Sequence, residues 1–363
     1  MKNTIPLQNV ILTLVFIAIF SSCKTELNVN APYKETPIVY GLLNQNDSIH
    51  YIKINKAFLG EADAYQMAQV RDSSEYGDIL DVKVNEILNG KVLKTFSLER
   101  SFLKNKQTGL FYSPDHIAYS FNTYNQPLNP QAKYELKVLN NSTGITTSAE
   151  TELVQSFKIT KPFSANQATI SFATATGVDS DLSIEWFSAV NGRRYTVQVV
   201  FNYFEVDKTS LDTIARQLDW SYTLKSKTAK GGELMPFKMT GAEFFNKIAN
   251  NIPETNGNIE RLVHTIDFNF SVAGDELNTY MEVNEPVSGI VQEKPEYTNV
   301  VNGIGIFSSR LNQSIKNKGL NSTTVKAIKE REKTFGKGFS KYWDVEKNQY
   351  LCITFNSVTA SCE

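Results

Sequence analysis

The sequence predicts a mainly β protein: a β-sandwich followed by a larger β-rich domain with short helical insertions. Three observations carry this. Residues 49–58 alternate apolar and polar, the period of a half-buried strand. Asn89-Gly90 separates two further runs, Leu80 to Leu88 and Val92 to Leu98. A two-residue Asn-Gly link of this kind takes positive φ at both positions and marks a type I′ hairpin. Finally, Leu128-Asn129-Pro130-Gln131-Ala132-Lys133-Tyr134 leads into a run in which Tyr134, Leu136 and Val138 alternate inward.

The chain opens with Lys2 and an apolar run, Val10 to Phe20, that ends at Ser21-Ser22-Cys23. A bilayer-spanning helix needs about 20 apolar residues, and this run is about half that. A basic start, a short apolar core and a small-residue exit make a secretory signal peptide, residues 1–22. Residues 23–36 are polar, contain Pro32 and read as a tether. The mature chain has 341 residues, too many for one typical core, and 327 of them follow the tether. They divide into a sandwich, residues 37–154, and a larger domain, residues 155–363. The formal net charge is −1, and it drops one unit further when Lys2 leaves with the signal. Near-neutral charge argues against a nucleic-acid partner or an anionic membrane surface.

Within the first domain, Ile38-Val39-Tyr40 is a short strand ending near Gly41. In the strand from Ile49, the residues His50, Ile52, Ile54 and Phe58 share one face, and Tyr51, Lys53 and Asn55 the other. Glu61 to Val70 holds helix formers and no breaker, so a short helix is expected. Ile117 to Phe121 is a strand, and Asn140 to Gly144 turns into a closing strand, Ile145 to Thr151. In the second domain, Phe157-Lys158-Ile159, Thr169 to Phe172 and Leu182 to Phe187 are strands. Asn191-Gly192 turns into the long strand Tyr195 to Val206. Thr240 followed three residues later by Glu243 is a capping box. The helix it opens carries Phe244, Phe245, Ile248 and Ile252 on one side, and Pro253 ends it. Ile259 to Val272 is a second long strand, with Leu262, His264, Ile266, Phe268 and Phe270 on one face. Gly274 to Met281 makes one or two helical turns, Ser322 to Thr334 a helix, and Tyr350 to Phe355 a last strand.

Little in this pattern points to chemistry. His50, His116 and His264 are the only histidines, and no two have metal-ligand spacing. His50 and His264 read as core residues. His116, after Asp115 in a loop-like stretch, is the best free histidine, but no G-x-S-x-G elbow accompanies it. Gly303-Ile304-Gly305 is a fragment of a dinucleotide fingerprint with Ser308 in place of the third glycine, and it reads as glycine in a strand. Asp179 and Asp181 lack the rest of a calcium loop and read as a solvated turn. The basic bias over Lys316–Lys341 reads as a solvated face. Cys352 and Cys362 are an even pair in a disulfide-permissive setting. Either they bridge, or Cys352 is a buried apolar residue and Cys362 is free. No catalytic residue, metal or cofactor is implied.

Resemblances to known proteins extend the reading. Ser21-Ser22-Cys23 resembles the lipobox of bacterial lipoproteins, which implies cleavage before Cys23 and acylation of that residue as a membrane anchor. An ordinary signal peptide with a chance cysteine is the other reading. Leu128, Pro130 and Tyr134 resemble the tyrosine corner of immunoglobulin-like and fibronectin type III sandwiches, which implies a Tyr134 hydroxyl bonded to upstream backbone. Asp47-Ser48-Ile49 and Asp212-Thr213-Ile214 resemble the O-glycosylation site of exported Bacteroidetes proteins, at Ser48 and Thr213. The motif is short and also recurs by chance.

Cys23, the opening PIVYGLLNQNDSIHYIKINKAFLG and the later YTNVVNGIGIFSSR together resemble a Bacteroidetes-type outer-membrane lipoprotein family of unknown function. Its members have an N-terminal immunoglobulin-like domain and are often encoded beside TonB-dependent receptors. The resemblance implies a non-enzymatic protein held on the outer membrane by lipid on Cys23. It also implies a role beside such a receptor, in substrate capture or assembly. Only Glu26 follows Cys23 closely, whereas surface-displayed members carry several acids there, so the side of the membrane stays open. An alternative is a glycan-binding module with Trp220 or Trp343 stacking sugars; a third is a hydrolase using His116.

Overall fold

The computed structural model describes residues 35–58, 63–104, 107–113, 115–162, 169–286, 296–353 and 358–359. The expected signal peptide, Cys23, the expected tether up to residue 34 and Cys362 lie outside the described residues.

The chain begins with β1 (Pro37–Leu43) and β2 (Ile49–Lys56), then two short helices, α1 (Ala64–Ala68) and α2 (Arg71–Ser74). Six strands follow: β3 (Leu80–Leu88), β4 (Lys91–Ser97), β5 (Glu99–Leu103), β6 (His116–Asn122), β7 (Lys133–Asn140) and β8 (Thr146–Glu152). β1, β2, β6 and β5 form one layer in that order, and β8, β7, β3 and β4 the facing one. Val39, Ile52 and Ile54 of the first layer meet Val84, Tyr134 and Leu136 of the second, each at most 2% exposed. Burial in β2 alternates as its sequence does, with His50, Ile52 and Ile54 inside. The β3–β4 link has Asn89 at φ 51° and Gly90 at φ 75°, the geometry a type I′ turn requires. β1 continues past the expected stop at Gly41. A Cβ there would lie 3.0 Å from Phe307 and 3.2 Å from Ile52, so glycine admits close packing instead of ending the strand.

The tyrosine corner is formed by hydrogen bonds. The Tyr134 hydroxyl lies 2.8 Å from Glu86 Oε2 and 3.1 Å from the Asn129 carbonyl, donating between them. Burial, then the Glu86 carboxylate, push the Tyr134 phenol far up, so it stays a donor. Tyr134→Phe leaves Glu86, itself buried, with one acceptor site unmet. The expected loss is about 1–3 kcal/mol of stability, read by urea denaturation.

The second region continues with β9 (Ile159–Lys161), β10 (Thr169–Ile170), β11 (Leu182–Phe187), β12 (Gly192–Asp207), β13 (Thr213–Lys225) and β14 (Leu234–Met239). Helix α3 (Gly241–Asn251) leads to β15 (Ile259–Gly274), α4 (Asp275–Asn284), β16 (Val300–Val301) and β17 (Ile304–Leu320). The chain closes with α5 (Ser322–Glu330), β18 (Phe339–Asp344), β19 (Gln349–Ile353) and β20 (Val358–Thr359). β15 is the hub, antiparallel to β12 and β17 and parallel to β18. β9, β11 and β14 make a separate three-stranded sheet. The capping box at Thr240 is present: its Oγ1 accepts from Glu243 N at 3.1 Å, and its N–H donates to Glu243 Oε2 at 2.9 Å.

The division expected at residue 154 does not separate the chain so cleanly. β17 runs through both parts. Its first six residues pair with β1 in parallel, Ile304 opposite Ile38 through Ser309 opposite Leu43. From Arg310 it pairs with β15 instead. β16 adds to β8, so Val300 and Phe307 are buried in the core of the first sandwich. The Gly303-Ile304-Gly305 fragment sits at this crossing. A Cβ on Gly303 would stand 2.8 Å from the Pro37 carbonyl oxygen, and one on Gly305 only 2.0 Å from that of Val39. Gly305 is glycine in a strand, as expected, whereas Gly303 lies in the link between β16 and β17; at both, the cause is close backbone approach.

A second difference lies in β15. Phe201 of β12 stands opposite Ile266, but Tyr203 stands opposite Val263, so β15 holds one extra residue between them. Such a bulge reverses the inside–outside phase. Ile266, Phe268 and Phe270 point into the core as expected, but Val263 takes the inward place before the bulge. Leu262 and His264 therefore turn to the opposite face.

Candidate functional site

Among the described residues, a mostly apolar concavity lies on the outer face of the first sandwich, with a volume of about 560 Å³. Its floor comes from the outward residues of two paired strands: Ile38 and Tyr40 of β1, opposite Asn55 and Lys53 of β2. Ala64, Tyr65 and Ala68 of α1 and the loop Leu110-Phe111-Tyr112 form the walls. The helix starts where Asp63 accepts from the Tyr65 and Gln66 amides, which supplies the missing partners of a helix N-terminus. Tyr112 N donates to the Ala68 carbonyl at 3.0 Å and pins the loop to the helix.

The polar atoms of the lining are largely engaged. Asn55 Nδ2 donates to the Ser74 carbonyl at 2.8 Å. Glu75 accepts from Arg71 Nε at 2.8 Å through one oxygen and from Ile117 N at 3.1 Å through the other. The Arg71 guanidinium also lies 5.3 Å from the Phe102 ring and 5.7 Å from that of Tyr112, both within cation–π range. Lys56 stands 5.8 Å from the Tyr76 ring and forms no ion pair among the described residues. At one end, Tyr280 of α4 meets Tyr40 edge-on and donates to its hydroxyl at 3.5 Å. That bond, then burial, push the Tyr280 phenol up to about 12.

The sequence gives no single motif for this groove. Its floor is the polar-side face of β2, its wall the expected helical insertion, and its rim a Leu-Phe-Tyr triplet in a loop. The triplet was the available signal, since three large apolar residues outside any alternating run invite the question of what they cover.

The histidines stay apart. His50 is 2% exposed, its Nε2 3.1 Å from Thr123 Oγ1 and its ring stacked on Phe121 at 4.8 Å. His116 is not in a loop; it begins β6 opposite Leu103. His264 lies among Phe204, Trp343 and Tyr350, with Nδ1 3.2 Å from the Tyr350 hydroxyl. Burial pulls both His50 and His264 below the ordinary 6.5, against weaker opposing pulls from Asp47 and Asp267. Folding thus favours their neutral forms. Their stabilising share is full above pH 6.5 and is lost as pH falls through the lowered folded values. Urea midpoints are expected to fall between pH 7.5 and about pH 5, and the slope is expected to flatten in the His50→Gln/His264→Gln double variant.

Among the described residues, no group of three His, Cys, Asp or Glu side chains could hold a metal ion. The Asp179 turn is tied to α5 instead: Arg331 pairs with Asp179, bonds the Gly177 carbonyl at 2.8 Å and covers the Phe245 ring at 3.8 Å. Ser48 and Thr213 are both exposed, the first before β2 and the second at the start of β13. Cys352 is disulfide-bonded, with its partner outside the described residues. Trp220 is only 7% exposed and stacks on Phe244 at 5.7 Å, so it offers no face to a sugar. Trp343 is half-buried beside His264. Among the described residues, no helix is long and apolar enough to cross a membrane.

No family model and no curated protein sequence matches the chain. One solved structure with a distant similarity is the C-terminal globular domain of an oligosaccharyltransferase from Pyrococcus abyssi. It is 16% identical at a TM-score of 0.17, over 57% of this chain and 39% of that one. A score so low carries no argument about function.

Proposed function

We propose that the protein is a non-enzymatic, lipid-anchored component of a bacterial outer membrane that assists a TonB-dependent receptor in substrate capture or assembly. The lipobox-like Cys23 supports the anchor. The observation that carries the rest is where the chain enters the fold. The Thr36 carbonyl accepts from Ala57 N at 2.9 Å, and Ala57 lines the aromatic groove. The stretch from Cys23 to Glu35 reaches at most about 47 Å when extended. An acylated Cys23 therefore keeps the groove within one tether length of the bilayer, where a membrane-embedded receptor is accessible.

The test is purification of the tagged native protein from outer membranes, with mass analysis of its N-terminus. Acylated Cys23 and a co-purifying receptor are expected. A protein recovered unacylated, or acylated but without any envelope partner, contradicts the proposal in its first or its second part.

A further inference from the structure

We infer that the free edge of β13 pairs with β13 of a second copy of this chain, antiparallel about a two-fold axis at Leu218. The inference goes beyond the proposed function and does not rest on it.

The first observation is an edge that little protects. Among the described residues β13 pairs with β12 alone, in an unbroken register from Arg194 opposite Lys225 to Val206 opposite Thr213. Asp207 N donates to the Asp212 carbonyl and Ser226 N to that of Arg193, so the even-numbered residues of β13 bond to β12. The odd-numbered ones turn their N–H and C=O groups to the open edge. Such a row is a template for another strand, and proteins guard it with short strands, proline, bulges or charge. β13 has 13 residues, no proline and no bulge, whereas the other strands at sheet edges have two to seven. Of its edge-bonding residues from Thr213 to Thr223, only Asp219 is charged.

The second observation is uneven cover. From Thr213 to Gln217 the strand is exposed on both faces, with Ile214 49% exposed. Beyond that its inner face is backed. Trp220 stacks on Phe244 of α3 at 5.7 Å, and Tyr222 meets Phe237 of β14 at 4.2 Å. Antiparallel pairing of two copies lays the bare half of each strand beside the backed half of the other.

The third is self-complementarity. In a two-fold interface residue i meets j and j meets i. Opposed residues share a face of the sheet, so the axis falls on a residue. An axis on Asp219 opposes two like charges, and one on Trp220 leaves Thr213 and Ile214 unpaired. An axis on Leu218 joins Thr213 through Thr223 and opposes no like charges. It sets Ile214 beside Tyr222 of the partner subunit and Asp219 beside Gln217 of the partner subunit. Arg216 keeps Glu205 as its ion-pair partner, at 2.7 Å. The pairing closes both free edges at once, so assembly stops at two copies.

The test is cysteine crosslinking of the full chain in intact cells, oxidised with copper phenanthroline and read on non-reducing gels above the parent chain's background. Position 218 meets itself across the axis, within disulfide reach. Position 219 meets its own copy only diagonally, at roughly 7–8 Å. A band of doubled mass is expected for Leu218→Cys and little for Asp219→Cys. Ala215 lies opposite Ser221 of the partner subunit in this register, and both side chains are exposed. Adding Ala215→Asp with Ser221→Asp is therefore expected to cut the Leu218→Cys yield about tenfold, and Ala215→Lys with Ser221→Asp to restore it. An unchanged urea midpoint confirms folding of each variant. No doubled band, equal bands from positions 218 and 219, or a yield indifferent to the charge pairs overturns the inference. So does an adduct between position 218 and a different protein.

Discussion

Gly305→Ala is expected to cost about 3 kcal/mol or more, and to do so at the crossing that joins the two parts of the chain. Two effects add. Gly305 has φ +111°, where side-chain-bearing residues are strained. Its added Cβ would also stand 2.0 Å from the Val39 carbonyl oxygen, a backbone atom that cannot swing away. Relief requires β17 to move off β1, which breaks the parallel pairing from Ile304 to Ser309 and loosens Phe307 in the core. Gly257 separates the two effects. It has φ +94° with open space around its Cβ position, so Gly257→Ala carries strain without the clash. Its expected cost is about 1 kcal/mol. Urea denaturation of the two variants, side by side, checks the difference. Equal costs would mean that β1 and β17 do not approach this closely.

Phe244→Ala is the second large effect, expected at about 3–5 kcal/mol. The ring lies at the centre of an aromatic cluster. It stacks on Phe172 at 4.1 Å and on Trp220 at 5.7 Å, and meets Phe201 edge-on at 5.6 Å. These neighbours come from β12, β13 and the stretch just after β10 and are all buried, so the space left by the ring closes only in part. Asn250, on the exposed side of the same helix, provides the contrast. Asn250→Ala is expected to stay within about 0.5 kcal/mol. A small effect of Phe244→Ala would mean that α3 is not packed as described.

What could be read from the sequence was local. The Asn89-Gly90 hairpin, the capping box at Thr240 and Glu243 and the Tyr134 corner each sit within a few residues. Their geometry is dictated by φ, by unmet helix-end donors and by a single hydroxyl. The pairing of β17 with β1 joins residues more than 250 positions apart. No local pattern encodes it; the Gly-x-Gly only hints that a backbone comes close. β15 shows a different limit. Apolar and polar residues alternate along it, but one inserted residue reverses the phase and turns His264 to the face opposite the one its alternation predicts. The first part of β13, Thr213 to Gln217, is exposed on both faces and offers no alternation to read.

The groove was the least legible feature. β1, β2, α1 and the Leu110–Tyr112 loop each contribute a few residues to it, and their polar and apolar roles appear only once the strands are paired.

The proposed function requires that the groove meet a partner at the outer membrane. A photo-crosslinking amino acid placed at position 65, in cells carrying the otherwise native protein, measures this in place. Crosslinks to an outer-membrane receptor are expected. Crosslinks to no envelope protein would contradict it.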